Sequence, residues 1–331
     1  MTTKETLLTL LEENRGRYFS GEEIAEKLSV TRAAVWKAVN GLRGDGYEID
    51  AVKNRGYCLA SDTDILSWQG VRKYLSSICG ALTLDVLPSA RSTNAVAREK
   101  AAEGAAEGYT VIANEQTDGR GRQGRKFYSP AGSGIYLSLL LRPKNCSPDQ
   151  AVRFTTMAAV AACEAAEEIS GERAEIKWVN DIYMRGKKVS GILTEASFSL
   201  ETGCLDYAVL GVGFNVYMPE DGFPSELADT AGAVFARRQN DGKNRLTAEF
   251  LNRFMQYYTA QDMASYGKQY RERSMVIGKK INVISPNGCK NGTALDVDQD
   301  CRLIVRYENG MVERLSSGEI SIYVDENAME K

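Results

Sequence analysis

The chain has 331 residues, 43% apolar and 26% charged, with a formal net charge of −3. That length suits two or three globular domains, and the near-balance of charge confines any nucleic-acid binding to a local patch. The sequence contains no histidine, which excludes Ser-His-Asp and Cys-His nucleophiles, histidine acid/base catalysis and most zinc hydrolase sites. Its seven cysteines are scattered without C-x-x-C spacing, so neither a disulfide framework nor a metal cage is expected and a reducing cytoplasm is the expected location. No apolar run approaches the roughly 18–20 residues of a membrane span, and no signal peptide is read at the start.

The first segment reads as a winged helix-turn-helix over residues 1–62. LLTLLEEN places Leu7, Leu8, Leu10 and Leu11 at helical spacing. Ser20 and Glu23 form a capping-box pattern ahead of GEEIAEKL, and Thr31 caps RAAVWKAVNGLR after a short turn. Ala25, Val30, Val35 and Leu42 are expected inside, leaving Arg32, Ala33, Lys37 and Asn40 outward. Thr31 to Arg43 holds Arg32, Lys37 and Arg43 without one acid, and two short strands around Asn54-Arg55-Gly56 form a wing that offers Arg55. A helix basic on its exposed face suits the major groove; a winged helix used for protein contacts remains the alternative.

Residues 65–270 alternate strands and helices: LTLDVL, a helix capped at Ser92, YTVIANEQ, GIYLSLLLR, an alanine-rich helix over Asp149–Ile169, AEIKWV, ILTEASF and YAVLGVGFNV. The fold class is α+β, multidomain, with a mixed central sheet expected to carry helices on one side. Residues 271–331 are strand-rich, broken by Asn-Gly turns, and suit a small barrel.

The run Gly119–Arg125, GRGRQGR, matches G-x-G-x-x-G by letter. A dinucleotide turn needs a helix next, whereas KFYSPAGSGIYLSLLL leads into another strand. What remains is a mobile glycine-rich loop whose Arg120, Arg122 and Arg125 suit phosphate or carboxylate. Around it stand Ser92-Thr93-Asn94 at a helix start, Asn180 and Asp181 at a turn, Lys188 at a strand start and Asn215 at a strand end. Each has a bland alternative alone: a cap, a turn or a surface lysine.

As a set, STN, Q-x-x-GRGRxGR, KW-x-ND, K-x-x-G and G-x-G-x-N-V resemble the biotin–protein ligases. With the winged helix ahead, the whole chain resembles their bifunctional ligase/repressor branch. The resemblance implies a central domain like class II aminoacyl-tRNA synthetases and a C-terminal SH3-like barrel over 271–331. It implies that biotin is activated with ATP and Mg²⁺ to biotinyl-5′-AMP, then transferred to a lysine of a biotin carboxyl carrier protein of acetyl-CoA carboxylase or another biotin-dependent carboxylase. It further implies repression of the biotin operon as an adenylate-bound homodimer on operator DNA. On the family pattern, Ser92, Thr93, Asn94, Gln116, Arg120, Gly121, Arg122 and Lys188 bind biotin. Arg122, Arg125, Phe127, Asn180, Lys188 and Asn215 bind nucleotide, and Lys188, Arg122 and Asp181 are catalytic. Arg91 stands where an acid commonly precedes STN, Phe127 where tryptophan is usual, and Val179 where proline is usual, a change expected to relax the turn aiming Asn180 and Asp181. A biotin sensor without transfer and a ligase for another cofactor such as lipoate are the alternatives.

Overall fold

The computed structural model describes residues 1–144, 146–147, 150–199, 201, 203–260, 263–285, 288–316 and 318–322. The chain divides into two compact units, one made of residues 1–80 with 237–249, the other of 81–236 with 250–331.

In the first unit, α1 (Thr3–Glu12), α2 (Gly21–Leu28) and α3 (Arg32–Gly44) precede the hairpin of β1 (Ile49–Val52) and β2 (Gly56–Leu59), with α4 (Trp68–Arg72) after it. Leu7, Leu11, Ile24, Val35, Val39, Leu42 and Leu59 form one core. Thr31 Oγ1 caps α3 by accepting from the Ala34 N–H at 3.2 Å, and Ser20 Oγ does the same for α2 from Glu23 at 3.0 Å. The complete reciprocal box stands in α1, between Thr2 and Glu5, where the sequence reading placed none. The hairpin turn uses Asn54 and Gly56 at positive φ; a side chain at Gly56 would lie 2.6 Å from the Phe19 carbonyl carbon. The later part of this unit carries a buried ionic cluster. Glu12 and Asp241, both 3% exposed, hold Arg15 and Lys73 at 2.5–2.8 Å.

The second unit is built on β3 (Thr83–Leu87), α5 (Thr93–Ala102), β4 (Tyr109–Ala113), β5 (Gly134–Leu141), α6 (Ala151–Ser170), β6 (Glu175–Lys177), β7 (Asp181–Met184), β8 (Lys187–Phe198) and β9 (Leu205–Asn215). These strands form a seven-stranded mixed sheet in the order β3-β4-β5-β9-β8-β7-β6, parallel only between β3 and β4. The expected one-sided helix layer is corrected. α5 packs Ala97 and Ala101 on the face of Leu140 and Val209, whereas Thr155 of α6 hydrogen-bonds Thr194, whose partner Leu210 faces the opposite way. The reason is visible in β5, whose eight residues are all buried, as a strand covered on both faces must be. The expected helix start at Asp149 lies outside the described residues.

Further on come α7 (Gly242–Ala260) and α8 (Met263–Arg273), followed by β10 (Lys280–Ser285), β11 (Gly288–Val297), β12 (Leu303–Tyr307), β13 (Val312–Leu315) and β14 (Glu319–Ile322). The last five strands form an antiparallel sheet ordered β13-β12-β11-β10-β14, with β13 and β14 at its two edges among the described residues. The end of the expected barrel segment, 323–331, lies outside the described residues.

Candidate functional site

A cavity of about 320 Å³ opens on the α5 face of the mixed sheet. It exists because small residues stand side by side in paired strands. Gly191 pairs with Gly213, and Gly211 pairs with Leu193 and Ser138. A methyl at Gly213 would sit 2.5–2.7 Å from the Phe127 ring, and one at Gly211 would lie 2.9 Å from Asn94 Cγ. The glycines therefore admit two side chains over the sheet: the Phe127 ring, edge-on to Tyr136 at 6.3 Å, and the Asn94 amide.

At one end of the cavity the start of α5 is held by Gln116. Ser92 occupies the cap position, but its side chain caps nothing. Instead Gln116 Oε1 accepts from the Thr93 N–H at 2.9 Å and the Thr93 hydroxyl at 3.1 Å, while Gln116 Nε2 donates to Ser129 Oγ at 3.1 Å. The Ser138 hydroxyl lies 2.8 Å from Thr93 Oγ1 and 2.6 Å from Asn94 Oδ1, and Asn94 Nδ2 donates to Glu195 at 2.7 Å. Glu195 is in turn paired with Arg98 at 2.6 Å. Buried Ser92, Thr93 and Asn94 thus line a small polar compartment of fixed donors and acceptors. Ser129, Ser138 and Glu195 were missed in the sequence; each is an ordinary strand or loop residue there, and only strand register brings it to α5.

The other end is charged. Lys188 Nζ pairs with Asp181 Oδ1 at 2.7 Å, and Asn180 Nδ2 donates to the same oxygen at 3.0 Å. Arg122 Nη1 donates to Asn180 Oδ1 and its Nη2 to the Gly318 carbonyl, each at 3.0 Å. Arg125 pairs with Glu319. Lys177, absent from the sequence-based set, also lines the wall, and burial holds its ammonium below the ordinary lysine range. The expected relaxation of the KWVND turn is corrected. Trp178 Nε1 donates to the Cys301 carbonyl at 3.0 Å and Tyr270 Oη to the Val179 carbonyl at 3.1 Å, so the turn is pinned from both sides. The Trp178–Val179 peptide is cis.

The GRGRQGR run is a small closed hairpin. The Gly121 N–H donates to the Arg125 carbonyl at 2.7 Å, the Phe127 N–H donates to the Gly119 carbonyl at 2.9 Å, and Arg122–Gly124 form a single 3₁₀ turn. Arg120, half exposed, pairs with Asp118 at 3.3 Å beside Arg91. Arg120, Gly121, Arg122 and Arg125 all line the cavity. Asn215 is not among its lining residues; its amide donates to the Lys188 carbonyl at 3.4 Å, steadying the strand that carries the lysine.

In the first unit, Arg32, Ala33 and Lys37 are exposed on α3 and Asn40 is half-buried beside them, as the spacing predicts. Arg43 departs from that face: its guanidinium donates to the Ile49 carbonyl at 2.5 and 3.1 Å, closing the helix onto the wing. Arg55 lies over the Tyr18 ring at 4.0 Å. Trp36, 62% exposed, stands among the outward residues.

Residues 86–215 match the biotin/lipoate A/B protein ligase family, residues 3–58 an HTH domain, and residues 276–323 the biotin protein ligase C-terminal domain. The chain is 32% identical to the bifunctional ligase/repressor BirA of Bacillus spizizenii across 97% of this chain and 99% of that protein. It is 27% identical to the BirA of Escherichia coli, covering 93% and 94% of the two chains. Its fold is similar to that of the biotin protein ligase from Aquifex aeolicus, solved in complex with biotin and ATP, with a TM-score of 0.61, 24% identity, and coverage of 73% of this chain and 98% of that one. No helix among the described residues is long and apolar enough to cross a membrane.

Proposed function

This chain belongs to the biotin/lipoate A/B protein ligase family, in its bifunctional ligase/repressor form, and from that premise we propose a two-step biotin transfer coupled to repression. In the first step a biotin carboxylate oxygen attacks the α-phosphorus of ATP and pyrophosphate leaves, giving biotinyl-5′-AMP. In the second, the amine of a carrier-protein lysine attacks the acyl carbon, AMP leaves, and the amine gives up a proton as the amide forms. We read residues 1–62, 65–270 and 271–331 as the DNA-binding, catalytic and C-terminal segments of this cycle.

The observation that carries the reading is the two-ended cavity, with fixed neutral donors and acceptors at one end and a cluster of cations at the other. Thr93, Asn94 and Gln116 suit an uncharged polar head such as the ureido ring, because their partners within the protein already fix their orientation, and Ser92 lines the same end. Arg120, Arg122 and Lys188 then meet the carboxylate and α-phosphate, where negative charge accumulates during attack. Arg125, Phe127 and Asn180 face the nucleotide, with Asn215 acting on it only through the Lys188 strand. Lys188 rests on Asp181 until substrate oxygens replace that partner. The freed carboxylate is then placed to accept the proton of the incoming lysine. A sensor that bound biotin without transferring it would have no use for this pair.

Among the described residues no three His, Cys, Asp or Glu side chains cluster as a metal cage. The charged end offers Asp181, whose carboxylate would hold Mg²⁺ beside the substrate phosphates in the first step and would be free again for the proton of the second. When bound, the ion neutralises phosphate charge.

On DNA, Arg32, Ala33, Lys37, Asn40 and Arg55 are the operator-facing residues, and two copies joined in the adenylate-bound state match a two-fold operator. The deciding experiment incubates the protein with biotin, ATP, Mg²⁺ and a biotin carboxyl carrier domain and weighs the carrier. One biotinyl increment is expected; an unchanged mass defeats the enzymatic reading.

A further inference from the structure

The outer face of α3 carries one residue that neither charge nor capping explains. Trp36 is 62% exposed, while its neighbours Val35, Ala38 and Val39 are buried in the core. It lies one helical turn from Arg32 and one from Asn40, with Lys37 beside it, so it sits at the centre of the exposed stripe. Among the residues of α3 it is the one large apolar side chain left exposed, and so the one large apolar contact group this face can offer. The surroundings say what kind of surface it fits. From Thr31 to Gly44 the helix has three cations and no acid. Arg43 is turned away to the Ile49 carbonyl, leaving Arg32 and Lys37 to flank the ring. A partner that accepts cations on both sides of an apolar ring, in a strip one helix wide, is the major groove. The apolar group it offers there is the 5-methyl of thymine.

We infer that Trp36 is a specificity-determining residue of the DNA-binding face, packing its indole on a thymine methyl in each half-site. The inference rests on the DNA-binding reading proposed above. Asn40, one turn further on, is placed to read an adenine edge nearby, whereas Arg32 and Lys37 hold phosphates and carry little sequence information.

The test uses the full-length protein with biotin, ATP and Mg²⁺. Duplexes enriched by the protein from a random pool are rebuilt with uracil replacing each thymine in turn, which removes one methyl and leaves base pairing intact. Binding by the parent should weaken about fourfold at one position per half-site, the effect of withdrawing one methyl from an apolar contact. For Trp36→Ala that uracil position should become silent while other positions keep their effects. Trp36→Phe should retain a partial response. Far-ultraviolet circular dichroism and the thermal midpoint confirm that the variants are folded. If enrichment yields a site but uracil weakens parent and Trp36→Ala equally at every position, the role given to Trp36 is wrong. If no sequence is enriched at all, the DNA-binding reading itself fails, and this inference with it. A second readout is spectroscopic. Of the three tryptophans, Trp178 is buried and Trp68 half-buried. In a Trp68→Phe background, a change in emission on binding the enriched duplex should therefore be largely lost when Trp36→Phe is added; its full persistence would also count against the contact.

Discussion

Replacing Gly211 with alanine puts the polar compartment to a quantitative test. The added methyl would lie 2.9 Å from Asn94 Cγ and 3.0 Å from Nδ2, with Oδ1 closer still, so the amide must swing away. Three contacts then go: the Ser138 hydroxyl to Oδ1 at 2.6 Å, Nδ2 to Glu195 at 2.7 Å and Nδ2 to the Leu193 carbonyl at 3.3 Å. Two neutral bonds at about 1 kcal/mol and one to a carboxylate at about 2 kcal/mol amount to roughly 4 kcal/mol. The stiffer backbone of alanine returns less than about 1 kcal/mol, leaving a net loss near 3 kcal/mol. That corresponds to a fall in thermal midpoint of about 6–12 °C. If Asn94 also holds biotin, displacing its amide should raise the apparent biotin KM about tenfold, the worth of about one hydrogen bond. Gly191→Ala is the control. Its methyl meets the flexible end of Lys188 and the edge of the Phe127 ring, no nearer than 3.2 Å. A shift of a few tenths of an ångström suffices, and the stability cost should stay under about 1 kcal/mol. Differential scanning fluorimetry reads the midpoint, and the rate of carrier biotinylation across a biotin titration reads KM. A Gly211→Ala protein with the parental midpoint and biotin KM would refute the argument.

Lys188→Ala should abolish pyrophosphate release while leaving the thermal midpoint within a few degrees; near-parental release would remove Lys188 from the chemistry. Arg122→Ala should lower adenylate formation about 100-fold or more, since it withdraws both a charge and the tether between Asn180 and the Gly318 carbonyl; a change confined to the transfer step would reassign it. Lys177 supplies a pH signature. Burial lowers its value below the ordinary 10.5, so between that lowered value and 10.5 the unfolded chain binds more protons and stability rises with pH. Burial also raises several tyrosines and cysteines, an opposing effect that makes stability fall with pH in the same window. The Lys177 signal is therefore a difference: urea denaturation should show a steeper fall in Lys177→Met than in the parent, and parallel profiles would contradict it. In the other unit, Asp241→Ala leaves Arg15 and Lys73 with one buried carboxylate instead of two and should cost about 3 kcal/mol or more in chemical denaturation. A loss under about 1 kcal/mol would mean the cluster is solvated.

What the sequence disclosed depended on how local the signal was. The Thr31 cap, the outward set of α3 and the Asn54–Gly56 turn are written within a few residues of one another, and each stands where it was expected. The grouping of STN, GRGRQGR, KWVND and Lys188 was legible only as a set, because the contacts that join them cross the sheet. Ser138 and Glu195 were illegible for the same reason: a serine in a buried strand becomes a ligand of Asn94 only through the pairing of β5 with β9. Ser92 shows the opposite failure. Its position at a helix start predicted a cap, yet that task falls to Gln116, more than twenty residues further along the chain. The second helix layer was missed because continuous apolar strands were not taken as covered on both faces.

The turning of Arg43 toward the wing has a thermodynamic consequence. On the DNA-facing set proposed above, it leaves Arg32, Lys37 and Arg55 to set against phosphate. Three neutralised phosphates release few condensed counterions, giving a slope of about −3 in log affinity against log salt. One copy would then lose only about 40-fold in affinity for a fourfold rise in salt, from an already weak starting point. If two copies bind one duplex, as proposed above, the exponent doubles and the affinities multiply, and occupancy would then depend steeply on pairing. On that proposal, a sparse basic face would keep an unpaired chain off bulk DNA and free to act as an enzyme.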